Sequence, residues 1–219
     1  MKQAILLLSN RTDYAVRERY DKLIKDYGCK ADVYLLFDVT KGYNKQELVC
    51  FEHVYPFDVN RMIDDGYTAL KEGFLGNCHY PILMFYKEYQ EYDYFWIVED
   101  DVIFSGNWST LFDSFTDDSS DLVATKIRSY EDEPTWCWWR SIGAGEGITL
   151  NRNAMYACFI PIYRLSAKAI ECLDFLIILW VCCSKNKLII SFGVWEESLV
   201  ENATIWSFFS GTLDRKSVV

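Results

Sequence analysis

Basic residues are in short supply: 22 Lys and Arg stand against 32 Asp and Glu in 219 residues, a formal net charge of −10. Too few cations remain to neutralise a phosphate backbone, which excludes nucleic acid as a natural partner. The same deficit speaks against an anionic membrane surface. If the substrate is itself anionic, a metal ion has to bridge the two negative partners. Histidine is nearly absent. His53 and His79 are the two in the chain, and a lone histidine is more often structural than a ligand. Long apolar runs are missing as well. The longest, CLDFLIILWVCC (172–183), holds Asp174 and is too short to span a bilayer, so no transmembrane segment is expected. The opening MKQAILLLSNRTD has one Lys, a brief apolar run and no small-residue cleavage site. It reads as a buried first strand and not as a secretory signal. A soluble cytoplasmic protein is the expectation, and the sequons at Asn107 and Asn202 are then chance matches. Eight cysteines occur without a CxxC pair, which points to reduced thiols in the core.

What is present is apolar and aromatic. Hydrophobic residues make up 51% of the chain and Phe, Tyr and Trp 17%, enough for a sizeable core and against disorder. The length suits a single domain spanning residues 1–219.

Elements alternate. AILLLS (4–9) is a short apolar run suited to a strand buried on both faces. RTDYAVRERYDKLIKDYG (11–28) follows, with Thr12 or Asp13 as cap, apolar residues at helical spacing and Gly28 as stop. ADVYLLFD (31–38) is a second strand, so the unit predicts a parallel pair with a right-handed crossover. Residues 39–76 read mostly as loop, with a short helix at NKQELVC. A helix is expected over 81–92, a strongly buried strand over 93–100, a helix over 107–115 and a strand over 121–127. Pro161 restricts the extended run 156–166 to an edge or a bulge. The tail reads as helix 167–183, strand 187–192, helix 194–203 and strand 204–209. The sum is an α/β layered fold, whose strand ends are the place for chemistry.

One stretch, YDYFWIVEDDVIFSGNW (92–108), puts Glu99, Asp100 and Asp101 directly behind an apolar run. Like charges on adjacent residues repel unless something positive sits between them. In extended chain, residues two apart share a face, which would set Glu99 and Asp101 together and Asp100 opposite. Carboxylates are hard ligands suited to Mg²⁺ or Mn²⁺. The plain alternative is a solvated acidic turn.

This segment, followed by DLVATKI and EPTWCWWR, resembles glycosyltransferases of the nucleotide-sugar (GT-A) type, whose Asp-x-Asp-like motif ends a central strand. ILLLSNRTD and GNCHYPILMFY are also similar to that group, and the resemblance runs from about residue 3 to 200. It implies a Rossmann-like, mostly parallel GT-A sheet with helices on both faces. It further implies a Mn²⁺ or Mg²⁺ cofactor, a UDP- or GDP-sugar donor and a glycan or lipid-linked acceptor, as in surface polysaccharide or lipopolysaccharide synthesis. By the same resemblance Asp101 becomes the metal ligand, Glu99 a ribose partner or further metal contact, and Asp100 a less defined donor contact. Many such enzymes carry a C-terminal His on the metal; this chain has none after position 79.

In that fold the turn SNRTD (9–13) lies near the nucleotide. Ser9 offers a hydroxyl, Asn10 a contact to base or ribose, and Arg11 a contact to phosphate; a capped helix with a surface Arg is the other reading. Asp38 is a ribose or base contact, or a turn residue. Glu196 and Glu197 are candidates for the base that takes the acceptor proton. Helix-start acids also suit the dipole, and of the two, roughly 100° apart on a helix, Glu197 is favoured. Trp136, Trp138 and Trp139 could form an acceptor-sugar platform or fill the core. GAGEG (143–147) resembles a closing loop and is not a dinucleotide fingerprint. Two other classes stay open: a nucleotidyl- or phosphotransferase on a similar sheet, and a non-catalytic relative that binds a glycan or a protein.

Overall fold

The structure is a computed structural model that describes residues 1–62, 64–67, 79–136, 155–174, 194–196, 203–206 and 213–214. The chain opens with strand β1 (Gln3–Ser9), helix α1 (Tyr14–Tyr27) and strand β2 (Asp32–Asp38). Asp13 caps α1, its carboxylate accepting from the amides of Ala15 and Val16 at 3.0 and 3.1 Å. That satisfies two of the donors a helix start leaves open. Val16, Tyr20, Leu23 and Tyr27 form the buried stripe of α1, at the spacing a helix needs to lay one face on a sheet. A short α2 (Lys45–Leu48), strand β3 (Val54–Phe57) and a 3-10 turn (Val59–Met62) follow. Next come α3 (Tyr80–Glu88), β4 (Tyr94–Glu99), β5 (Ile103–Phe104), α4 (Trp108–Asp113), β6 (Leu122–Ser129) and β7 (Met155–Ser166). Residues 167–174 are helical (α5). Short strands β8 (Val194–Glu196), β9 (Ala203–Trp206) and β10 (Leu213–Asp214) complete the described chain.

The main sheet runs β3-β2-β1-β4-β7-β6-β9, with β8 paired to β7. Pairings β2–β3, β1–β2, β1–β4 and β6–β9 are parallel, and β7 runs against its neighbours. This is the α/β layered fold expected from the alternation of elements, with the Rossmann-like, mostly parallel sheet that the resemblance implied. Strand geometry divides the core in two. Ala4, Leu6, Phe95 and Ile97 point to the face covered by α3 and α5, where Phe85, Ile170 and Leu173 meet them. Ile5, Leu7, Trp96 and Val98 point to the other face, against Tyr20 and Leu23 of α1 and Trp108 and Phe112 of α4. Both sides of β1 and β4 are therefore apolar, which is why they read as unbroken hydrophobic runs.

Two expectations need correction, and a third resolves to one of its two options. The 39–76 stretch contains β3, an edge strand whose Pro56 is exposed; an edge is where the missing proline N–H costs nothing. Strand β7 lies in the sheet interior and not at an edge. Its register against β6 jumps from Ala124–Tyr163 to Thr125–Phe159, so Pro161 falls in the irregular run and needs no partner there, the bulge that was the other option. The helix expected over 194–203 begins instead as strand β8, because the N-terminal end of β7 offers Val194–Glu196 a ladder that outweighs local propensity. The helix beyond residue 174, the strand 187–192 and the loop 143–147 lie outside the described residues.

A buried cation on β7 had no sequence signal. Arg164 is 0% exposed. It donates to the carbonyls of Phe115 and Asp118 at 2.8 and 2.9 Å, pairs with the Asp118 carboxylate at 2.9 Å, and lies 4.3 Å over the Tyr94 ring. It thereby fastens the segment after α4 to the sheet. Burial lowers its pKa, against the raising effect of Asp118. Removing one member of a buried, hydrogen-bonded charge pair costs ~3–5 kcal/mol. Arg164→Met should lose stability of that order in urea unfolding, and Asp118→Asn, on the more exposed partner, clearly less.

Candidate functional site

Strands β1, β2, β3 and β4 run the same way, so their C-terminal ends share one edge. The register sets Leu8 beside Glu99, Ser9 beside Phe37, and Asp38 beside Phe57. A cleft of about 260 Å³ opens there, lined by Leu8, Ser9, Asn10, Asp38, Phe57 and the acidic residues 99–101. This is just under the ~300 Å³ at which small-molecule sites usually begin. Phe57 supplies an apolar wall. Sequence reading missed it because β3 was missed; a four-residue apolar run interrupted by proline was its one trace.

Local turns fix each side chain. Strand β4 ends at Glu99, and the amide of Val102 closes a turn onto the Glu99 carbonyl at 3.1 Å. Asp100 and Asp101 thus sit in a turn and are not extended, and the expected two-apart facing of Glu99 and Asp101 does not apply. The turn instead brings all three acids to the cleft. The Asp100 amide donates to the Leu8 carbonyl at 3.1 Å, which continues the β1–β4 ladder one step. The Asp100 carboxylate accepts from the Ser9 hydroxyl and, at 3.2 Å, from Arg11 Nε. Arg11 in turn donates its amide to Ser9 Oγ at 2.9 Å, and its Nη1 lies 3.4 Å from Asp13. The hydrogen bond that Arg11 donates to Asp100, then the charge of Asp100, raises the Arg11 pKa, so this guanidinium is firmly cationic. Asp38 accepts from the Thr40 amide at 2.8 Å while it lines the cleft. It holds its own turn and faces the site at once. The turn closes with Gly42 at φ +83°, donating to the Val39 carbonyl at 2.8 Å.

The donor set decides what a metal could find. Among the described residues no cluster of three or more His, Cys, Asp or Glu could hold an ion unaided. Asp100 is engaged by Ser9 and Arg11, and the carboxylates of Glu99 and Asp101 line the cleft beside it. Two carboxylates fit a Mg²⁺ or Mn²⁺ that takes its remaining ligands from a phosphate group and water, the usual habit of these ions.

Of the other candidates, those that are described lie elsewhere. Trp136 sits past the end of β6, with the Arg128 guanidinium 4.8 Å over its ring. Trp138, Trp139 and Glu197 lie outside the described residues. The backbone of Glu196 pairs with Met155 on β7. That is seven residues beyond Ile162, the last partner of β4, or on the order of 20 Å along an extended strand. The edge is shared with the cleft, but the register does not set Glu196 beside the acidic turn. His53 lies at the surface, 3.9 Å from Glu52. His79 is 3% exposed at the start of α3, outside the cleft walls.

No family model and no curated protein matches the chain. Among solved structures it is similar to the galactosyltransferase LgtC in complex with donor and acceptor sugar analogs. Identity is 13% and the TM-score 0.47, over 86% of this chain and 67% of that one. It is similar to CMP:2-keto-3-deoxy-manno-octonic acid synthetase complexed with CTP at 12% identity and TM-score 0.47, covering 80% and 78%. It is also similar to mouse xyloside xylosyltransferase 1 at 12% identity and TM-score 0.42, covering 83% and 73%. At such distances the likeness says nothing of this chain's own activity. Among the described residues no helix is long and apolar enough to cross a membrane.

Burial pushes the His79 pKa down from 6.5 to about 4. Between those values the unfolded chain binds a proton that the folded chain refuses. Stability is therefore full above pH 6.5 and falls as the pH drops toward 4, by at most ~1.4 kcal/mol per unit from this group. In urea unfolding at stepped pH, His79→Gln should show a shallower acid slope than the wild type.

Proposed function

We propose that the chain is a metal-dependent glycosyltransferase of the GT-A type that moves a sugar from a nucleotide-diphosphate sugar to a hydroxyl acceptor. The observation that carries this reading is the meeting, in one cleft, of the β1 turn, the β2 end and the acidic turn after β4. A strongly negative cleft paired with an anionic donor needs a positive bridge. In this reading Asp101 holds the dication directly, and Glu99 holds it or the donor ribose. Bound there, a dication would draw off charge from the departing diphosphate.

This chain's residues do the rest. Asn10 and Asp38 hold base and ribose, and Arg11 at the cleft rim meets phosphate. The closed β1–β4 edge keeps water off one side of the donor. Glu197 takes the proton from the acceptor hydroxyl, and Trp138 and Trp139 stack on acceptor sugar faces. UDP- or GDP-sugar is the donor, and a glycan or lipid-linked sugar of surface polysaccharide or lipopolysaccharide is the acceptor.

Calorimetric titration of UDP and GDP, with and without Mn²⁺, tests the reading. One of the two should bind in a Mn²⁺-dependent manner, and Asp101→Ala should weaken that binding at least ~10-fold. Turnover of a nucleoside triphosphate with release of pyrophosphate would replace this reading with nucleotidyl transfer. Failure of every nucleotide to bind would leave a non-catalytic relative.

A further inference from the structure

We infer that Arg11 is the built-in counter-ion of the acidic turn, and that donor binding is a hand-over in which this guanidinium passes from Asp100 to the donor diphosphate. The inference rests on the donor reading above and adds to it a role for Asp100, as a positioning residue for Arg11 and not a ligand of donor or metal.

Several observations converge. Three consecutive carboxylates need a cation, and the structure supplies one from its own chain: Arg11 Nε lies 3.2 Å from Asp100. Asp100 is held in place by the Ser9 hydroxyl, and the same Ser9 oxygen accepts the Arg11 amide at 2.9 Å. One hydroxyl therefore fixes both ends of the ion pair. The pair is asymmetric in exposure, the Asp100 side chain being 18% exposed and that of Arg11 46%. The carboxylate is anchored and the guanidinium is the part able to swing. Its ionic contacts use Nε and Nη1, so the five-donor fork is incompletely used among the described residues. An incoming diphosphate offers the paired oxygens such a fork prefers. It reaches Arg11 without crossing the sheet, because Ser9, Asn10 and Asp100 themselves line the cleft.

The hand-over makes Arg11 act with opposite sign on two ligands. While the guanidinium sits on Asp100 it repels a dication approaching Glu99 and Asp101, so metal alone should bind weakly. Once a diphosphate draws the guanidinium away, the acids are exposed to the metal, and nucleotide and ion arrive together. A side chain that merely holds the turn in shape would not show this reversal.

The experiment titrates Mn²⁺ alone, and then UDP and GDP in saturating Mn²⁺, into wild type, Arg11→Gln and Arg11→Lys, with circular dichroism to confirm folding. Arg11→Gln should bind Mn²⁺ alone about tenfold more tightly than wild type, the size expected when a neighbouring like charge is removed. The same variant should bind the nucleotide at least ~10-fold more weakly, from the loss of a charge-assisted contact. Arg11→Lys should keep the wild-type response to Mn²⁺ and lose part of the nucleotide affinity. Unchanged or weaker Mn²⁺ binding by Arg11→Gln, with normal wild-type nucleotide binding, overturns the hand-over and leaves the donor reading standing. A wild type that binds neither nucleotide overturns both.

Discussion

Three negative charges on consecutive residues at one strand end set the terms for the rest of the molecule. Two unit charges ~6 Å apart at an effective dielectric of ~20 repel by about 3 kcal/mol. Such an arrangement persists only where nearby groups compensate it. The compensation comes from the segment beside β4 in the sheet. The parallel β1–β4 register places Leu8 next to Glu99, so the residues following β1 arrive beside the acids. Those residues are Ser9, Asn10 and Arg11: a hydroxyl, an amide and a cation.

The register is itself a product of packing. Both faces of β1 and β4 are buried, with Leu6 and Phe95 on one side and Leu7 and Trp96 on the other. A slip by one residue would exchange the two sets. It would set the bulk of Trp96 against α3 and separate its indole from Gln3, to which it donates at 2.9 Å. The aromatic weight of β4 therefore does more than fill space. It locks the strand in the one alignment that brings the acidic turn to Arg11. Arg164 works toward the same end from β7, since it ties the segment after α4 to the sheet on which β4 lies.

Much of this was legible in the sequence, and the reasons are physical. Unbroken apolar runs named β1, β2 and β4, and a capped helix with a Gly stop named α1, because local signals and global fold agree there. The cleft residues Ser9, Asn10, Asp38 and Glu99–Asp101 were legible for the same reason: each directly follows or ends a strand that was read correctly. What escaped depends on distant partners. β3 is short and carries Pro56, and its pairing with β2 is not written in its own four residues. β8 forms because β7 outruns β4. Arg164 looked like any charged residue in an extended run, since its partners on 115–120 are more than forty positions away. The turn at 99–101 was misjudged because strand ends are the least certain part of any periodicity, and the change from strand to turn altered which acids face together.

That last change gives the middle acid of the three a place of its own. In a straight strand Asp100 would project away from its neighbours and serve no purpose in the cleft. In the turn its carboxylate reaches Ser9 and Arg11. The outer two remain at the cleft wall. On the donor reading proposed above, a divalent ion alone would meet the Arg11 cation beside the acids, and a phosphate ligand alone would meet the carboxylates that line the cleft. In that reading the ligand would engage the arginine and the ion the outer acids, so each would relieve the repulsion the other meets. A site of that kind would favour the pair over either member, and the middle acid with its arginine would be the feature of the turn that sets the preference.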